Sequence, residues 1–270
     1  MTSENNPSRP VFQETDWLFG AGNNRPPVKS RLQQISAYLS TDINPRYGDL
    51  LLLFCYIITG LLDSSAVFIW GSFVSMQTGN TVYLGLGLIG LDEGTRWIKA
   101  GVSIFSFCLG SYCFALYHRW VISRQRWVLC ASFTIQMLCV AAAATIVTVH
   151  RPSRDSALSW KVILPQALVA FQSSGQAVTS RVLKLNGLTS VVLTSVYCDF
   201  FSNPAFPSLG GVEQRRRAGA VICLVLGTIL GGLWAKSEIG LMGALWMAVL
   251  FKGLIAVAWL GWKGEHADDL

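Results

Sequence analysis

The chain has 270 residues, 52% of them hydrophobic and 13% charged, with a mean hydropathy of +0.45 and a formal net charge of +6. Soluble domains carry about 25% charged residues, so an ordinary soluble globule is excluded, and disorder, collagen and coiled coil go with it. The apolar residues gather into eight blocks of 14 to 23 residues between short charged stretches, the pattern of an all-α, polytopic membrane protein.

Ahead of the first block stand 49 polar residues with five Lys/Arg, five Asp/Glu and five prolines. They read as a cytosolic, partly disordered tail over residues 1–46 rather than as a signal peptide. Within it Val28, Leu32, Ile35 and Leu39 recur at helical spacing beside Lys29 and Arg31. That fits a short amphipathic helix, either on the membrane surface or against the protein's own loops. Residues 47–262 form the expected helical membrane domain, and 263–270 a short acidic tail.

A bilayer core of roughly 30 Å takes about 20 helical residues. The blocks cover residues 50–70, 72–91, 98–117, 127–149, 162–178, 188–201, 218–234 and 241–262. The second and sixth are polar, Gly-rich or short, and the fifth is short and ends in a polar run. Six to eight membrane segments are therefore expected, two of them broken or re-entrant. Trp70, Trp97, Trp120, Trp127, Trp160, Trp234 and Trp262 fall at block ends, where an indole can sit at headgroup level.

The basic excess lies in short loops, at Arg119, Arg124 and Arg126, at Arg215, Arg216 and Arg217, and at Arg181 with Lys184. Flanking apolar blocks, these side chains read as topology signals facing anionic lipid, not as a nucleic-acid surface. Whether all eight blocks cross or the second and sixth re-enter, 14 Lys/Arg fall inside and 6 outside, with both ends cytosolic. The two models differ in which side holds the loop carrying Arg119 to Arg126. No cysteine pair has CxxC spacing, no histidines have metal-ligand spacing, and no phosphate-binding glycine loop is present. No catalytic residue, metal or cofactor is expected, and the chain is read as not being an enzyme.

The scarce polar residues inside the blocks carry the functional expectation. Asp63 sits within the first block, where a carboxylate costs about 2.5 to 3.5 kcal/mol to insert. It either caps a helix beginning at Ser64, hydrogen-bonds a neighbouring span, or contacts a substrate or ion. In the second block Gln77, Thr78, Gly79, Asn80 and Thr81 are consecutive, a run expected to unwind and free backbone groups for a site, or else to serve as polar glue between helices. A shift of 109 residues aligns Asp63-Ser64-Ser65 with Gln172-Ser173-Ser174, a weak internal repeat. That repeat is inverted if the polar blocks re-enter and parallel if they cross. Arg181 either snorkels to the headgroups or reaches Asp63, Gly227 and Gly231 form a GxxxG pair, and Lys252 lies in the last block needing a partner.

Gly60-Leu61-Leu62-Asp63, then Met76-Gln77-Thr78-Gly79-Asn80-Thr81-Val82 leading into Leu84-Gly85-Leu86-Gly87-Leu88, resemble the YoaK-like family of uncharacterised polytopic membrane proteins, a domain of unknown function. So do Gln176 and Arg181 ahead of Leu188-Thr189-Ser190-Val191-Val192-Leu193-Thr194, where the family commonly has Thr-Gly in place of Leu193-Thr194. The tail and the Val196-Tyr197-Cys198-Asp199 ending resemble its filamentous-fungal branch. The resemblance spans residues 47–262 and implies an integral membrane protein with Asp63, Thr78, Gly79, Asn80, Gln176 and Arg181 as characteristic positions.

The leading expectation is a secondary transporter or channel for a small solute or ion. Its midplane site would comprise Asp63 and Gln77 to Thr81, completed by Gln176, Thr189 and Thr194. The alternative is a non-transporting accessory or scaffold protein serving a fungal metabolic pathway. The expected partners are the lipid bilayer and an unidentified small solute or ion, with no nucleic acid and with homo-oligomerisation open.

Overall fold

The computed structural model describes residues 30–44, 48–91, 94–121, 124–151, 158–204, 206, 210–262 and 264. The expected tail therefore lies mostly outside the described residues, as do the acidic residues Glu265, Asp268 and Asp269. The chain divides into one unit ending at Tyr38 and another from Leu39 onward. At the end of the first is α1 (Arg31–Leu39), started by a reciprocal cap. The Ser30 hydroxyl accepts from the Gln33 N–H at 3.3 Å and the Gln33 side chain accepts from the Ser30 N–H at 3.1 Å. Leu32 and Ile35 are exposed, and Val28 lies outside the described residues.

Among its described residues the second unit is all-helical apart from isolated bridges: α2 (Gly48–Trp70), α3 (Gln77–Leu88), α4 (Arg96–Trp120), α5 (Arg126–Val149), α6 (Trp160–Val182), α7 (Thr194–Phe201), α8 (Val212–Lys236) and α9 (Leu241–Leu260). Five of these, α2, α4, α5, α8 and α9, are long and apolar enough to cross a membrane. Helix α6 matches them in length with 23 residues, longer than the 162–178 block suggested, but spends its buried face on polar side chains. Helices α3 and α7, of 12 and 8 residues, reach only about 18 Å and 12 Å, short of a roughly 30 Å core.

The helices pack as two matching sets, α2–α5 and α6–α9. Helix α2 packs on α8 as α6 packs on α4, α3 leans on α4 as α7 leans on α8, and α5 meets α6 as α9 meets α2. The pairs α2 with α8 and α4 with α6 run parallel, with backbones in close approach at glycines. An added Cβ at Gly227 would run into the Ile57 carbonyl, and one at Gly110 into the Phe171 carbonyl. A side chain at either glycine would push the paired helices apart.

Helix α2 lies antiparallel to α6, with Gly48 near Leu183 and Thr59 bonded to Gln176. The first helices of the two sets thus point opposite ways, so the repeat is inverted. Its register differs from the sequence alignment: Ile57 matches Phe171, a shift of 114 rather than 109. Side chains at that depth are chosen by which neighbour they meet, so identity is not preserved and the sequence alignment slips.

One end of the bundle gathers three chain segments. The Ile43 N–H donates to the Arg124 carbonyl at 3.0 Å, Asp42 bridges Gln125, Ile43 bridges Gly264, and the Arg126 guanidinium donates to the Trp262 carbonyl at 2.8 Å. At the same end Arg216 of α8 pairs with Asp49 of α2 at 2.7 Å. Residues 124–126 thus share an end with the segments preceding α2 and following α9. Of the two topologies, six crossings with α3 and α7 re-entrant match this arrangement, whereas eight crossings would put these residues at opposite ends. Trp120, Trp127 and Trp160 are exposed at helix ends as a membrane belt requires, whereas Trp70 is buried, 2% exposed, and acts as packing.

Candidate functional site

Helix α2 runs unbroken through Asp63, so Asp63 caps no helix at Ser64. The break follows α2: Gly71 takes φ +84°, a turn that L side chains resist, and residues 71–76 fold back along the helix. Asp63 holds that return. Its Oδ1 accepts from the backbone N–H groups of Val74 at 2.8 Å and Ser75 at 2.9 Å, and its Oδ2 accepts from the Ser75 hydroxyl. A buried carboxylate with donors on both oxygens is a strong clamp.

The polar run does not unwind. Gln77 to Thr81 form the first turn and more of α3, because their side chains serve the preceding loop instead of leaving the helix. Asn80 imitates a backbone partner, accepting from the Phe73 N–H at 2.9 Å and donating to the Phe73 carbonyl at 2.8 Å. Gln77 donates to the Val74 carbonyl at 3.0 Å and to the Ser103 hydroxyl at 3.3 Å, tying the loop to α4. Gly79 leaves room for the Phe73 ring. Thr78 and Thr81 are exposed, and the Thr81 hydroxyl only bonds back to the Gln77 carbonyl at 2.9 Å.

From this loop a polar seam leads inward along α6. The Ser173 hydroxyl donates to the Val74 carbonyl at 3.1 Å, while Gln166 donates to the Ser72 hydroxyl and the Lys99 carbonyl, both at 2.8 Å. One turn beyond Ser173, Gln176 donates to the Thr59 hydroxyl at 2.6 Å, and Thr59 lies one turn before Asp63 on α2. Gln176 also accepts from the Lys252 ammonium at 2.8 Å, and Gln136 of α5 accepts from the same ammonium at 2.5 Å. The ring of Phe133 lies 5.2 Å from that nitrogen, a cation–π contact. Lys252, Gln136 and Gln176 are all buried. Further along, Thr179 and Ser180 are buried on α6, and the Tyr56 hydroxyl of α2 faces Thr189 and Ser190. Along α6 the buried side chains of Gln166, Ser173 and Gln176 thus bond in turn to the loop after α2, to α4 and to α2, and Lys252 reaches Gln176 from α9.

Of the residues singled out in the sequence, the fold joins Asp63, Gln77, Asn80 and Gln176 through this seam, and Thr189 lies toward its other end. Thr194 opens α7 and is exposed. Arg181 is exposed on the last turn of α6, beside His118 and Arg119 of α4. It makes no ion pair with Asp63, whose partners are Val74 and Ser75. Lys252 stands out in the sequence as a charge within an apolar block, whereas its acceptor Gln136 does not, and no spacing pairs Lys252 with Gln176. The available signal was a Gln within the fourth apolar block. Among the described residues no three His, Cys, Asp or Glu side chains converge in a way that would hold a metal.

The fold and the seam define a class: a helical multi-span membrane protein built of two inverted halves, with polar side chains buried where their first helices meet. The chain belongs to the DUF1275 family, described as protein of unknown function, whose model matches residues 51–258. Neither a curated protein nor a solved structure matches the chain.

Proposed function

We propose that the protein is a secondary transporter for a small solute or ion, working from the seam centred on Lys252. The observation that carries this reading is the buried Lys252–Gln136–Gln176–Thr59 chain where α2, α5, α6 and α9 meet. Inverted-repeat transporters place substrate at the repeat interface near the bilayer midplane, beside interrupted helices. An ammonium with no carboxylate on it costs free energy in that setting, a cost that selection tolerates where the charge has a task. In this reading Gln136, Gln176 and Lys252 contact the solute. Asp63, Gln77 and Asn80 position the re-entrant segment, and Thr189 and Thr194 belong to its counterpart in the second half. Thr78, Gly79, Thr81 and Arg181 stand outside the solute path.

Both ends of the membrane domain face the cytosol, because 14 Lys/Arg then lie inside and 6 outside. The reading includes no enzymatic step, no nucleic acid and no cofactor. It leaves the protein free to work alone or as a homo-oligomer, and it keeps the affiliation with YoaK-like proteins of the filamentous-fungal branch.

Flux into proteoliposomes, screened over small anions, neutral solutes and cations, tests the proposal. The wild type should move at least one class and Lys252→Met should abolish that flux. Transport that survives in Lys252→Met removes the site. A second reading, a non-transporting accessory or scaffold in a fungal metabolic pathway, draws support from Asp63. Both of its oxygens are taken up locally, as a purely structural clamp requires.

A further inference from the structure

A second cleft lies on the flank of the bundle, between the parallel helices α4 and α6. It is an open groove of about 540 Å³ along their final turns, at the end where the segments flanking α2 and α9 gather. Ala115, Val178 and Val182 line its apolar part, and His118, Arg119 and Arg181 its polar part. The guanidiniums of Arg119 and Arg181 enter none of the ion pairs among the described residues, which join Arg216 to Asp49 and Arg217 to Glu213 and Asp199. His118 is 6% exposed, and neither ring nitrogen has a hydrogen-bond partner in the structure. A buried polar ring without a hydrogen-bond partner, beside two cations outside any ion pair, is an arrangement that awaits an acceptor.

The inverted repeat supplies an internal control. The matching cleft, an open groove of about 330 Å³ between α2 and α8, has Val67 where the 114-residue shift brings Arg181. Packing two parallel helices in this fold therefore requires no cation at that place. The outer face of α4 on the approach to the cleft is apolar, with Phe105, Leu109 and Tyr112 exposed, and Trp120 is exposed at its end. The mouth thus opens toward acyl chains while the cations sit at headgroup depth.

We propose that this cleft binds an anionic phospholipid. Arg119 and Arg181 hold the phosphate, His118 supplies a further N–H, and one acyl chain lies against Ala115, Val178 and Val182. Guanidinium groups suit phosphate because they offer parallel N–H donors, and juxtamembrane cations favour anionic leaflets. The inference stands apart from the transport reading, since it concerns the flank of the bundle and not the seam.

Lipid binding to the full-length protein in mild detergent, read by native mass spectrometry, tests it with phosphatidylglycerol, phosphatidylcholine and inorganic phosphate as probes. Phosphatidylglycerol should bind about tenfold tighter than phosphatidylcholine, and Arg119→Gln with Arg181→Gln should remove that preference, while Arg215→Gln leaves it in place. Ala115→Leu, which fills the cleft and keeps both cations, should weaken phosphatidylglycerol by about tenfold as well. An undiminished preference in the double arginine variant overturns the proposal. So does displacement of the lipid by inorganic phosphate with Ala115→Leu having no effect, because the site then takes a soluble anion.

Discussion

Gln136 and Lys252, the eleventh residue of α5 and the twelfth of α9, occupy matching places in the two halves and meet at 2.5 Å. The inverted repeat thus brings its own equivalent positions into contact, and the chain differentiates them: one side carries the charge and the other the acceptor. Gln176 completes the arrangement from α6 at 2.8 Å. Leaving a buried ammonium without acceptors costs about 3 to 5 kcal/mol. Gln136→Leu with Gln176→Leu should therefore lower the detergent melting temperature sharply. Adding Lys252→Met to that pair should recover most of the loss, since no charge then remains to be satisfied. A triple variant no more stable than the double would show that the ammonium is not what the glutamines serve.

Asp63→Asn retains the shape of the side chain but offers one acceptor oxygen in place of two to the Val74 and Ser75 donors. The expected cost is about 1 to 3 kcal/mol. It should be read locally, as faster amide hydrogen exchange at residues 73–77 with little change in α8 or α9. Asn80→Ala should act on the same segment by freeing the Phe73 N–H, while the Phe73 carbonyl keeps its bond from the Ser103 hydroxyl.

The parallel helix pairs make a steric prediction. Gly227→Ala places a methyl against the Ile57 backbone, where nothing flexible can give way, and should cost about 1 to 3 kcal/mol of stability in detergent. Gly232→Ala, on the same helix with nothing within 4 Å of the new carbon, should be neutral or slightly stabilising. Thermal unfolding of the two variants side by side checks both the close approach and its specificity.

Six crossings make a topological prediction. A reporter inserted at Ser123, next to Arg124 with its bond to Ile43, should lie on the same side as both ends of the membrane domain. One at Ser156, between α5 and α6, should lie opposite. The reversed pattern would require α3 and α7 to cross, which 12 and 8 helical residues cannot do.

Much of the architecture could be read from residue order because spans are written in local composition. Charge-bounded apolar runs located α2, α4, α5, α8 and α9, and Asp63, Gln77 and Asn80 stood out because polar groups are scarce there. What stayed hidden depends on contacts distant in sequence. Lys252 finds its acceptors 116 and 76 residues away, and no periodicity encodes that. The polar run over Gln77 to Thr81 suggested unwinding. A short helix whose side chains reach back to cap a loop has the same residue types as an unwound one, so composition did not separate them. Helix α6 runs longer than its apolar block for a related reason: its buried stripe of Gln, Ser and Thr is polar because it faces α4, α5, α2 and Lys252 rather than lipid.

The claim that a solute passes along the seam is tested most directly without knowing the solute. Thr59→Cys, in a background with the seven native cysteines replaced, puts a thiol beside Gln176 at the middle of the seam. Membrane-impermeant thiol reagent can be applied to right-side-out and to inside-out vesicles. The account predicts labelling from both sides, each slowed by a transported solute, because alternating access opens the seam to either face in turn. A thiol that reacts from neither side in sealed vesicles, yet reacts when the protein is unfolded, would contradict it and leave the seam as dry packing between helices.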